Sequence, residues 1–125
     1  MTISDLVTAL DAELVAGNDS HGGVVEDFAA SDLLSDILTF EKDGYALITG
    51  LTNSQIIRTA EITGARCVVI VRGKKPQQAA VGLAERSGIP LLLSPLSMFE
   101  ACSRLGHLRD ANHAGPEGTS DTIGA

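Results

Sequence analysis

The sequence predicts an α/β fold in three layers, a mainly parallel sheet with helices on both faces. Three observations carry this. From Tyr45 onward, short apolar runs alternate with amphipathic segments that end in glycine. The runs at residues 45–48, 67–71 and 89–93 are continuous rather than alternating, as strands covered on both faces require. The segments between them are long enough to hold a helix, so the strands are expected to be parallel neighbours with right-handed connections.

The elements follow in order. Ile3, Leu6, Val7, Leu10 and Leu14 recur at helical spacing and form one apolar stripe, capped by Thr2 or Ser4. Residues 17–23 are turn chemistry throughout and lead into a short strand over 24–28. Ser31 is then expected to cap a second helix with Asp32 behind it, and Leu33, Leu34, Ile37 and Leu38 to supply its apolar face. Helices are expected over 54–63, closed by Gly64, over 77–87, closed by Gly88, and from Ser97 to about His107. Residues 1–108 thus make one domain. Residues 109–125 lack periodicity and are expected to be a disordered tail.

Composition limits the function. With 125 residues and 44% hydrophobic content the chain holds one globular domain with a core. Its longest uncharged apolar stretch, 89–99, contains Pro90 and Pro95 and is shorter than the roughly 20 residues a bilayer span needs. The opening residues show no basic region followed by an apolar stretch, so no secretory signal is read and a cytoplasmic location is expected. Residues 1–43 carry ten acids against Lys42 alone, whereas residues 44–108 carry seven bases against three acids. Such a split can attract within one fold or between two copies of it. A pI near 4.7 and the scarcity of aromatic residues argue against nucleic acid as a partner. Cys67 and Cys102 have no CxxC or histidine spacing and are expected to be small buried hydrophobes in a reducing compartment.

Several segments together resemble a known family. Residues 47–53 (LITGLTN), 69–76 (VIVRGKKP), 88–92 (GIPLL), 97–102 (SMFEAC) and 30–36 (ASDLLSD) look like the DRTGG domain, in the form of its stand-alone members, over about residues 3–108. The resemblance implies an α/β fold similar to the N-terminal domain of HPr kinase. It also implies a regulatory or dimer-forming role, as in the phosphotransacetylases and CBS-domain pyrophosphatases that carry this domain. Thr49 and Gly50 match the family's name motif, but Leu51, Thr52 and Asn53 stand where it has glycine, aspartate and arginine, so no role of those two charged residues carries over.

Ligands of open parallel sheets bind beyond the carboxyl ends of the strands. Here those ends lead into the loops 49–54, 72–75 and 94–97, which are expected on one edge. Thr49, Gly50, Thr52, Asn53, Arg72, Gly73, Lys74, Ser94 and Ser97 are the candidate ligand-binding residues. Gly50 would let the backbone approach a ligand, Thr49, Thr52 and Asn53 would donate hydrogen bonds, and Arg72 would meet an anionic group. Caps and turns use the same residue types, so Asn53, Ser54 and Ser97 have an ordinary structural account. Asp32 and Asp36, four apart on one helix face, could pair for acid–base work, but helix-start chemistry explains Asp32 more simply. His21, His107 and His113 are widely separated, and no P-loop, GxGxxG, HExxH or nucleophile–base set is present. The expectation is therefore a regulatory or protein-interaction module, homodimeric through the helix bearing Leu33, Leu34, Ile37 and Leu38, with no catalytic residues, metal or cofactor. The alternative is a sensor of a nucleotide or other anionic small molecule.

Overall fold

The computed structural model describes residues 1–18 and 23–113. The chain runs α1 (Ile3–Ala9), β1 (Glu13–Ala16), β2 (Phe28–Ala30), α2 (Leu34–Ile37), β3 (Ala46–Thr49), α3 (Ser54–Thr63), β4 (Cys67–Ile70), α4 (Gln78–Ser87), β5 (Leu91–Leu93) and α5 (Met98–His113). One sheet holds all five strands in the order β1-β5-β4-β3-β2. β2, β3, β4 and β5 are parallel; β1 pairs antiparallel with β5. The three apolar runs are therefore parallel neighbours, as their continuity requires.

Strand side chains alternate between faces, and here they feed two cores. Leu47, Val68, Ile70 and Leu91 pack with Ile37, Ile56, Ile57 and Ala60 under α2, α3 and α4. Ala46, Ile48, Cys67, Val69 and Leu92 pack with Ile3, Leu6, Leu10, Ala101 and Leu105 under α1 and α5. The sheet is thus the middle of three layers. Each such leucine, isoleucine or valine contributes about 1.5–3 kcal/mol by leaving water, and the fully buried Tyr45 keeps its hydroxyl bonded to Thr63 at 2.6 Å. Gly64 and Gly88 close α3 and α4 in the left-handed conformation.

The first part of the chain departs from expectation. α1 stops at Ala9, and Leu14 belongs to β1 rather than to the helix stripe. Thr2, not Ser4, caps α1, and Asp5 returns the bond to complete a capping box. The strand expected over 24–28 lies over Phe28–Ala30; Val24 makes only an antiparallel bridge to Thr2. α2 is a single turn without a side-chain cap: Ser31 Oγ accepts from the Leu33 N–H in a tight turn before it. Of its four expected apolar residues, Ile37 is buried and Leu34 packs on the core, while Leu33 and Leu38 stay exposed. α5 continues past Arg109 to His113; the rest of the expected tail, residues 114–125, lies outside the described residues, as does His21. Cys67 is buried, but Cys102 is only half-buried, and burial pushes its thiol pKa up.

Candidate functional site

The sheet brings the three loops beyond β3, β4 and β5 to one edge, and backbone bonds fasten them together. Arg72 and Gly73 turn the chain after β4 with φ of 66° and 64°. Their N–H groups donate to Leu96 O at 2.7 Å and Ser94 O at 2.9 Å. The Gln77 N–H donates to Thr52 O at 2.9 Å, tying the second loop to the first.

The centre of this edge is a residue that the sequence assigned to helix-start chemistry. Asp32 Oδ1 accepts from the Gly50 N–H at 2.6 Å and from Thr49 Oγ1 at 3.4 Å, and Oδ2 pairs with Arg72 Nη2 at 3.3 Å. The carboxylate thus occupies the donors expected to meet a ligand anion. The Gly50 N–H bond above all, helped by Arg72 and opposed by partial burial, holds the Asp32 carboxyl below the usual carboxylate range. Lys74 Nζ donates to Gly50 O at 3.3 Å on the same loop. Asp36, by contrast, is exposed on α2 and forms no pair with Asp32, which precedes the helix.

The other candidates divide. Thr49 is buried and its Oγ1 accepts from the Leu51 N–H at 3.1 Å; Thr52 is half-buried on the loop. Asn53 Oδ1 caps α3 by accepting from the Ile56 N–H at 3.2 Å, and Ser97 Oγ accepts from the Glu100 N–H at 3.1 Å. Ser94 is buried, with Oγ donating to Leu10 O at 2.8 Å and accepting from the Leu96 N–H at 3.2 Å. Arg72, Gly73 and Lys74 are exposed. Arg72 and Asp32 therefore lie on the part of the edge open to solvent, with 41% and 45% of their side chains exposed.

A cavity of about 350 Å³ lies at the opposite edge, before the amino ends of β3, β4 and β5. Arg66 lines it, and its buried Nε has no acceptor. Gly64 and Gly88, at the carbonyl ends of α3 and α4, and Asp43 form other walls. Helix carbonyl ends and a carboxylate oppose an anion, so this cavity does not replace the strand-end loops as an anion site. Among the described residues no His, Cys, Asp and Glu cluster could hold a metal ion, and no helix is long and apolar enough to cross a membrane.

The DRTGG domain family profile matches residues 5–108, nearly the whole described fold. The chain belongs to the DRTGG domain family. The domain is similar to a solved structure from Clostridium perfringens, the CBS and DRTGG domains of a pyrophosphatase regulatory region complexed with the activator diadenosine tetraphosphate. The TM-score is 0.68 at 17% identity over 83% of this chain. This DRTGG domain spans 45% of that chain, and at this identity the likeness establishes the shared fold. No curated protein matches the sequence.

Proposed function

We propose that this DRTGG domain is a non-catalytic regulatory module that acts as a homodimer. The observation that carries the reading is the seat of Asp32. The chain's own carboxylate takes the Gly50 N–H and the Arg72 guanidinium, so the edge where a parallel sheet ordinarily binds substrate is closed from within. Family membership supports the regulatory class, because the similar C. perfringens fold is part of a regulatory region. The exposed Leu33 and Leu38 beside that edge supply an apolar surface for a second copy. Sedimentation velocity at micromolar concentration tests the reading: a dimer of the 13.0 kDa chain is expected, and a purely monomeric profile refutes it.

A second reading, an anion sensor at the same loops, is favoured by one feature. Asp32 and Arg72 are both partly exposed, so a ligand with higher charge density, such as phosphate or a nucleotide, can reach the guanidinium and compete for the Gly50 N–H. Calorimetry with phosphate, nucleotides and acyl phosphates tests it. Millimolar binding that Arg72→Ala removes supports the sensor; no heat across the panel eliminates it.

A further inference from the structure

We propose that the free edge of β2 is the surface through which two copies join: β2 pairs antiparallel with β2 of a second copy about a two-fold axis at Ala29, so that two five-stranded sheets become one. This deepens the homodimer reading above and rests on it.

The hydrogen-bonding groups of β2 define the partner's chemistry. β2 lies at the end of the sheet and pairs only with β3. Its anchors on that side are fixed: the Ala46 N–H donates to Asp27 O and the Ser31 N–H donates to Ile48 O, both at 3.0 Å. Every second residue of a strand turns its N–H and C=O to the same side, so Ala29 faces β3 and Phe28 and Ala30 face outward. Among the described residues none of those four outward groups has a partner. They can accept another extended backbone in place of water.

The two edges of the sheet are not alike. β1 carries Glu13, and its register breaks between Leu14 and Ala16, two devices that blunt an edge. β2 is Phe-Ala-Ala, with no charge, proline or register shift, and its three-residue length is the one such device it carries.

The edge is complementary to itself. About a two-fold at Ala29, Phe28 lies opposite the partner's Ala30, and each such pair exchanges both of its backbone bonds, giving four in all. On the same face a large ring then meets a methyl group. A groove of about 220 Å³ between the chain's own Phe28 and Ala30, lined also by Ile48, Cys102, Leu105 and Arg109, is where the partner's Phe28 would lie. On the other face, a groove of about 260 Å³ runs between β2 and Ile37 and Phe40. The dyad of an antiparallel pair is perpendicular to the sheet, so α2 meets α2, bringing Leu33 and Leu38, 57% and 53% exposed, toward their own copies. The strand itself carries no charge to oppose the pairing; Asp36 and Arg109, which line the two grooves, are the charged residues beside it. The paired triplet is neutral, and Asp27 at its end, bridged to Lys42 at 3.6 Å, faces the partner's Ser31. A strand of another protein would use the same edge, but the ring-to-methyl fit repeated on both sides of the dyad is specific to a second copy.

Three measurements test the proposal. Ala30→Pro deletes an outward N–H while sparing the Ala29 and Ser31 bonds to β3; with its far-UV spectrum unchanged, it is expected to weaken association about 30-fold. Amides of Phe28 and Ala30 are expected to exchange slowly in the wild-type dimer and quickly after dilution to monomer. In a Cys102→Ser background, Ala29→Cys is expected to cross-link as a dimer under mild oxidation, and Glu13→Cys on the other edge is not. A monomeric wild type overturns the homodimer reading and this proposal together. A dimeric wild type in which Ala30→Pro associates as tightly, the two amides exchange freely, or Ala29→Cys stays unlinked overturns the edge pairing alone. If Ala30→Pro does not fold, the exchange and cross-linking results decide.

Discussion

Asp32 and Arg72 stand 40 residues apart in the chain and meet at 3.3 Å over the end of β3. The contact joins the segment after β2 to the turn after β4, with the Gly50 N–H between them. It therefore links the acidic first third of the chain to its basic middle within one fold. Asp32 also lies two residues from the β2 edge and next to Leu33, so the strand-end loops and the proposed dimer surface share one short segment.

Stability should respond to acid through Asp32. Its folded pKa is depressed, first by the Gly50 N–H and then by Arg72, below the ordinary 3.8. The stabilisation is therefore complete above that ordinary value and is lost as pH falls through the lower folded value. Urea midpoints from pH 7 to pH 2 should show a decline at the acid end that Asp32→Asn reduces. At pH 7 the substitution should cost about 1 kcal/mol, since the pair is half-exposed. Parallel acid limbs in the two proteins would remove Asp32 as the cause.

Gly50 is where a side chain would break the pair. A Cβ there would strike the Arg72 guanidinium and come within 3.2 Å of Asp32 Oδ1. Because the guanidinium is the flexible end of a long side chain, Gly50→Ala should cost about 1 kcal/mol by displacing it rather than disrupting the sheet. In an Arg72→Ala background the same change should cost only a few tenths of a kcal/mol. Equal costs in both backgrounds would show that the glycine is required for another reason.

The parallel core was legible because it is overdetermined: three continuous apolar runs, each followed by a helix and two closed by glycine, leave few arrangements. The first 40 residues were not, for a specific reason. Leu14 continues the helical spacing of Leu6 and Leu10, but the left-handed Asp11, at φ 51°, ends the helix and antiparallel pairing with Leu92 makes Leu14 a strand residue. Likewise Asp32 follows Ser31 in a pattern that reads as a helix start, and its true partners, Gly50 and Arg72, are long-range. The signal was available in the other direction: Gly50 and Arg72 were expected to bind an anion, and a nearby carboxylate of the same chain is the simplest one.

Ser94 shows how one residue type serves structure or site. Its buried Oγ holds Leu10 O and the Leu96 N–H, joining the end of α1 to the loop after β5. Ser94→Ala leaves both groups without that partner and should cost about 2 kcal/mol in a urea melt. A loss under 0.5 kcal/mol would mean the hydroxyl is not needed there, which would return Ser94 to consideration as a ligand contact.

The exposed leucines separate folding from association. Leu33 and Leu38 contribute little to the monomer core, whereas Ile37, between them on the same turn, is 1% exposed and packs under the sheet. Replacing either leucine with lysine should therefore change monomer stability by less than about 0.5 kcal/mol. In the dimer the same changes place like charges across the two-fold and remove apolar contact, so Leu33→Lys with Leu38→Lys should sediment as a folded monomer at concentrations where the wild type is dimeric. Ile37→Lys is the opposite control and should unfold the domain by burying an unpaired charge. If the double lysine variant stays dimeric, α2 does not contribute to the interface, and the β2 edge or another surface carries association without it.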